Sequence, residues 1–398
     1  MLRTDIPSVR LLMIIAVGLL VVRHTSYGFY ILSVFLSGQE MPFLTLGGID
    51  FYPLWANSWV GIDMIYMLAG FSAARLWLDE KPQSAFRLAL QKILPLLPLY
   101  YVILLICYFF VPFFVLPKQP TPWSVFYHLA VLPDIFEPGV NVSYAVVAAK
   151  IKMILLLVGV LWLLGKVNIK IRLGVTLVSL AGMMLGGYFL RLHGFSEFTA
   201  TGDIVKDSYE FFMACRFAFF YCLDPFVCGA VIAWASHRLP PDHMLRQPLF
   251  CRAILYAGSA SLLLWLFSTE HLRVITSYDA GAQPLVTALI IAAILYGAVM
   301  PVKPRQPETQ GVGRLFDISY AVYLIHIPLI QVSFYTAAVL IYPLLHDYPL
   351  FFHFFAFSVI YISFSYLAGA ALHHWIEKPA FRIFRVERET AEKENTSS

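Results

Sequence analysis

Charge is what this chain has least of. Asp, Glu, Lys and Arg together make up 13% of its 398 residues, where a water-soluble domain carries about 25%. Nucleic acid is excluded as a partner, because the net charge is only +4 and no Lys/Arg block or RNA-binding signature is present. Cysteine is scarce as well: none of Cys107, Cys215, Cys222, Cys228 and Cys251 lies in a long hydrophilic loop, and none has CxxC spacing or paired histidines. That removes a disulfide framework and a zinc site, and leaves the cysteines as buried small hydrophobes. The tandem His373-His374 is not read as a metal site either. Internal repeats and a separate hydrophilic domain are missing. So is a small-residue cleavage site after the first apolar run, so that run is expected to be retained.

What is there is apolar sequence in long runs. Hydrophobic residues make up 60% of the chain, and the mean hydropathy is +0.74. Such a composition belongs to a polytopic membrane protein. Ten candidate spans are expected at 9–37, 53–78, 93–115, 142–165, 171–191, 212–236, 251–268, 283–301, 316–342 and 350–376, each long enough for ~30 Å of hydrocarbon. The expected fold is an all-α bundle of ten transmembrane helices over 1–381, followed by a charged cytoplasmic tail over 382–398. An even number of spans puts both termini on one side. Placing them in the cytoplasm leaves only Lys118, Arg191, Lys206 and Arg273 among the basic residues of the outer loops, against twenty basic residues inside. That asymmetry predicts a cytoplasmic-membrane protein with both ends inside.

Within the first apolar run, Arg23 and His24 stand side by side. A charged side chain near the middle of a span costs on the order of 3 kcal/mol unless it faces a partner or a wet cavity, so such a pair points to a substrate or proton path. Asp63, inside the second span, wants a cationic partner, and Arg23 is the expected one. Asp224 with Arg216, and Lys150 with Lys152, raise the same question on the sixth and fourth spans. Lys150 and Lys152 point about 200° apart on a helix and cannot share one cavity. His326, two residues before Pro328, is expected to bond across helices.

Asp317 to Pro328, DISYAVYLIHIP, and His374 to Arg382, HWIEKPAFR, are similar to the closing SYxxYLxH and EKP signatures of the acyltransferase-3 family of integral membrane O-acyltransferases. Gly61 to Phe71, GIDMIYMLAGF, Lys92 to Tyr101, KILPLLPLYY, and Leu223 to Ala230, LDPFVCGA, resemble earlier family segments. Ala69 stands where the family has Ser, and Ala149 where it has Glu.

The resemblance implies transfer of an acyl group, most simply acetyl, from cytoplasmic acyl-CoA to a hydroxyl of an extracytoplasmic or lipid-linked glycan. It implies catalytic roles for His24 as base, with Arg23 and Asp63, and a donor path lined by Arg10, Arg75, Arg87, Lys92 and Glu377. An imidazole titrates near neutrality and suits the base, while guanidinium and ammonium groups suit CoA phosphates and a thioester oxyanion. Arg10 lies ~21 Å below His24 on a helix, comparable to a stretched pantetheine arm. Glu377 is expected to pair with Arg75 or Arg87 at the inner mouth. Membrane lipids surround the bundle, no metal is called for, and a homodimer is left open. The alternatives are a glycan transporter or flippase and a non-catalytic component of a polysaccharide assembly complex.

Overall fold

The computed structural model describes residues 6–37, 45–46, 49–79, 93–110, 122–131, 147–156, 159, 169–199, 207, 211, 223–268, 277–301, 310–345, 348 and 350–383. They are mostly helical. A short antiparallel pair, β1 (Thr45–Leu46) and β2 (Ile49–Asp50), is the exception. The long helices are α1 (Pro7–Ser37), α2 (Val60–Asp79), α3 (Leu97–Phe110), α4 (Ile169–Glu197), α5 (Leu223–Arg238), α6 (Pro248–Ser268), α7 (Ala282–Val299), α8 (Gln310–Thr336) and α9 (Leu350–Leu372). Pro7 and Pro248 open α1 and α6, where a missing N–H removes no helical bond. Two π turns, Ala337–Ile341 and His373–Glu377, follow α8 and α9 directly.

Among the described residues, five helical stretches are long and apolar enough to cross a membrane: Pro7–Thr25, Pro248–Phe267, Ala282–Val299, Gly311–Ile330 and Phe352–Ile383. These match the expected first, seventh, eighth, ninth and tenth spans. The other five expected spans fall on α2, α3, the helical segment 147–156, α4 and α5. Of these, α3 has 14 residues and α5 has 16, while 111–115, 142–146 and 212–222 lie outside the described residues.

The distribution of polarity suits a membrane. Large apolar side chains face outward, Leu249, Leu264, Tyr256 and Phe189 among them, while Asp63, Arg191, Asp224, Gln283, Thr287, His326 and Glu377 are buried. A water-soluble fold places these groups the other way round.

Close helix contacts fix the arrangement. Gly70 on α2 and Gly229 on α5 face each other's backbone: a Cβ on either would overlap the carbonyl of Phe226 or Met67. Small residues of this kind let membrane helices approach and gain van der Waals contact. On the other side, α1 and α8 run parallel, because Arg10 lies over the Phe316 ring near their starts and His24 meets His326 further along both. Arg246, just before α6, donates to the Met300 carbonyl just after α7, so α6 and α7 form an antiparallel pair. Ser8 ties the start of α1 to the end of α7 through the Ala298 carbonyl at 2.9 Å.

Candidate active site

Parallel packing of α1 on α8 brings together two histidines 302 positions apart in sequence. The imidazole rings of His24 and His326 lie edge to face, with centroids 4.9 Å apart and planes at 74°. Each ring is held by its own helix. His24 Nδ1 meets the Leu20 carbonyl at 2.9 Å, and His326 Nδ1 meets the Tyr323 carbonyl at 2.7 Å. A carbonyl only accepts, so Nδ1 carries the hydrogen in both neutral rings and each Nε2 keeps its lone pair. His326 is 1% exposed, and its Nε2 is buried without a hydrogen-bond partner. The pair therefore presents two unprotonated ring nitrogens inside an apolar bundle. Tyr323, one turn before His326, tilts its ring against the His326 imidazole at 5.9 Å. Pro328, two residues further on, leaves the Leu324 carbonyl without its helical N–H partner.

Around this pair, the expected site residues divide. Arg23 is half-buried on α1 beside His24. Asp63, expected beside Arg23, is 3% exposed on α2 and accepts a hydrogen bond from Thr287 Oγ1 of α7 at 3.1 Å. Arg10 is half-buried, its guanidinium carbon 5.3 Å from the centre of the Phe316 ring, a cation–π placement that fixes it against α8. Arg75 is half-buried near the end of α2. Arg87, Lys92 and Arg216 lie outside the described residues.

Glu377 is buried and has a partner on its own helix end: His373 Nδ1 and Glu377 Oε2 are 2.9 Å apart, one turn apart on the same π-distorted helix end. A contact within one turn needs no second helix, and Arg87, one of the two cations expected beside Glu377, lies outside the described residues. The same turn packs against α8 and the start of α3, where Tyr320 donates to the Leu96 carbonyl at 3.3 Å. His373 thus has a carboxylate at i+4 that the sequence reading passed over.

Arg191 corrects an expectation. Expected in an outer loop, it is 0% exposed at the end of α4. Its guanidinium donates to Asp224 Oδ2 of α5 at 2.5 Å, to the Ala280 carbonyl at 2.9 Å and to the Gly281 carbonyl at 3.4 Å. A forked guanidinium can serve three acceptors in different directions, which lysine cannot do from one plane. Asp224 therefore pairs across helices. Lys150 is buried and Lys152 half-buried on the 147–156 segment, and Ala149 beside them is fully buried.

Comparison with known protein families, curated proteins and solved structures finds no match for this chain.

Proposed function

We propose that the protein is a membrane-bound O-acyltransferase that moves an acyl group, most simply acetyl, from cytoplasmic acyl-CoA to a hydroxyl of an extracytoplasmic or lipid-linked glycan. The observation that carries this is the His24–His326 pair, in which a backbone carbonyl pins each Nδ1–H and leaves Nε2 with its lone pair free to accept a proton. In the reaction, the glycan oxygen bonds to the thioester carbonyl carbon as its proton passes to His24 Nε2. The carbon–sulfur bond then breaks, and the imidazolium returns that proton to the departing thiolate. Arg23, next to His24 on α1, would offset the charge of the oxyanion. Arg10 sits ~21 Å further down α1, at a distance from the histidines that suits the phosphate end of the donor.

The finer topology belongs to the same proposal: ten spans, both termini in the cytoplasm, and the cytoplasmic membrane of a bacterial-type cell. Parallel α1 and α8 fit this scheme, since a first and a ninth span cross in the same direction. The test uses the full chain in nanodiscs with radiolabelled acetyl-CoA and a candidate glycan. Label should reach the glycan with wild type and not with His24→Ala. A folded wild type that binds no CoA sinks the proposal and favours the transporter alternative.

A further inference from the structure

Helices α8 and α9 pack as an antiparallel pair, with Gly369 against Val322. Stepping one turn at a time from that contact pairs His326 with Ser365, Ile330 with Tyr361, and Ser333 with Ser358. The steps of four and three residues keep one face of each helix in the seam. Every one of these six residues is buried.

Four polar atoms in this seam have no hydrogen-bond partner among the described residues: His326 Nε2, Tyr361 Oη, Ser358 Oγ and Ser333 Oγ. The usual resolution for a helical serine is its own i−4 carbonyl. Other hydroxyls on the same two helices take it: Ser319 bonds Leu315 O at 2.7 Å, Thr336 bonds Val332 O at 2.8 Å and Ser365 bonds Tyr361 O at 2.8 Å. Ser333 and Ser358 do not, and the stepping from Gly369 and Val322 puts them at one level of the two helices. Each buried polar atom left unpaired costs about 1–3 kcal/mol, so four in one seam point to a polar occupant. The Leu324 carbonyl freed by Pro328 adds an acceptor at the histidine end. By the same stepping, Phe354, 1% exposed and packed edge-on to Trp55, and the buried Ala337 stand one level past the serines.

We propose that the α8–α9 seam holds a file of internal water molecules running from His326 Nε2 past Tyr361 to the Ser333–Ser358 layer. Its length is ~10 Å, the rise of seven helical residues. A buried water needs two or more polar partners, and the four unpaired atoms with the Leu324 carbonyl are the groups this seam offers. Water in this seam hydrates the inner edge of the histidine pair, whichever substrate that pair acts on. It is independent of the acyl-transfer proposal.

Radiolytic hydroxyl labelling of the full chain in nanodiscs, in ¹⁸O-water with mass-spectrometric readout, tests it. A side chain with no exposure reacts only where water is bound beside it. Tyr361 and His326 should take up label within about tenfold of the rate of Tyr348, which is 56% exposed. The Ser333→Val/Ser358→Val double variant should lower labelling of Tyr361 at least fivefold, whereas Ser319→Ala, whose hydroxyl is already satisfied, should not. Should the valine variant fail to fold, Ser333→Ala/Ser358→Ala removes both hydroxyls without added bulk and carries the same expectation. Unlabelled Tyr361 and His326 at a dose that saturates Tyr348 overturns the proposal, as does undiminished Tyr361 labelling in a folded double variant.

Discussion

His24 illustrates what one residue announces and what it withholds. An ionisable side chain in a long apolar run is legible from sequence, because burial of such a group is too costly to be idle. Its partner is not, since nothing local links position 24 to position 326. His24→Ala should lower acyl transfer by ~10²–10⁴-fold, the usual worth of a positioned base, with the thermal midpoint little changed. Acylated glycan at wild-type levels would remove His24 from the chemistry. His326→Phe keeps an aromatic ring, somewhat larger than imidazole, at the edge-to-face contact while deleting both nitrogens. It should fold with a modestly lower thermal midpoint and depress turnover, and unchanged kcat would reduce His326 to a packing residue. Arg191 shows the opposite failure. Counting positive charges assigns a lone arginine after an apolar stretch to a loop, whereas α4 continues to Glu197 and carries it into the interior. Arg191→Met leaves the Asp224 carboxylate buried without its guanidinium and should cost ~3–5 kcal/mol, read as a lower denaturation midpoint in detergent. Arg191→Met/Asp224→Leu should recover much of that loss, since it buries no charge.

At the scale of elements, hydropathy locates the apolar helices well because the bilayer sets their length. Pro7–Thr25, Pro248–Phe267 and Ala282–Val299 fall close to the expected first, seventh and eighth spans. The π turns at Ala337–Ile341 and His373–Glu377 were not legible, because no residue type signals a one-residue bulge in an otherwise regular helix. Helix pairing was equally hidden: GIDMIYMLAGF and LDPFVCGA each contain the glycine that matters, but only the fold puts Gly70 against Phe226 and Gly229 against Met67. Because the obstruction in both cases is backbone, no side-chain rotation relieves it. Gly70→Ala must push α2 and α5 apart and should cost ~1–3 kcal/mol. Gly70→Ala/Gly229→Ala should cost less than the two single changes added together, because one separation of the helices relieves both clashes. A simple sum of the two losses in thermal midpoint would mean the glycines act at separate contacts.

For the whole molecule, the proposed reaction requires a donor that reaches from one membrane face to the histidine pair. The fold supplies a parallel pair of helices marked at two heights, by Arg10 on Phe316 and by His24 on His326. If Arg87 and Lys92 grip the CoA phosphates at the inner mouth, Arg87→Gln/Lys92→Gln should raise KM for acyl-CoA, at ~1.5–3 kcal/mol for each charge-assisted hydrogen bond lost. The difference from wild type should shrink at high salt, where screening already erodes the native contact. His24→Ala should do the reverse, keeping donor affinity while losing turnover, because the imidazole acts on the proton of the acceptor and not on the phosphates. Calorimetric titration of CoA into both variants separates the two ends of the path. Equal loss of CoA affinity in both would mean that the donor does not extend between them.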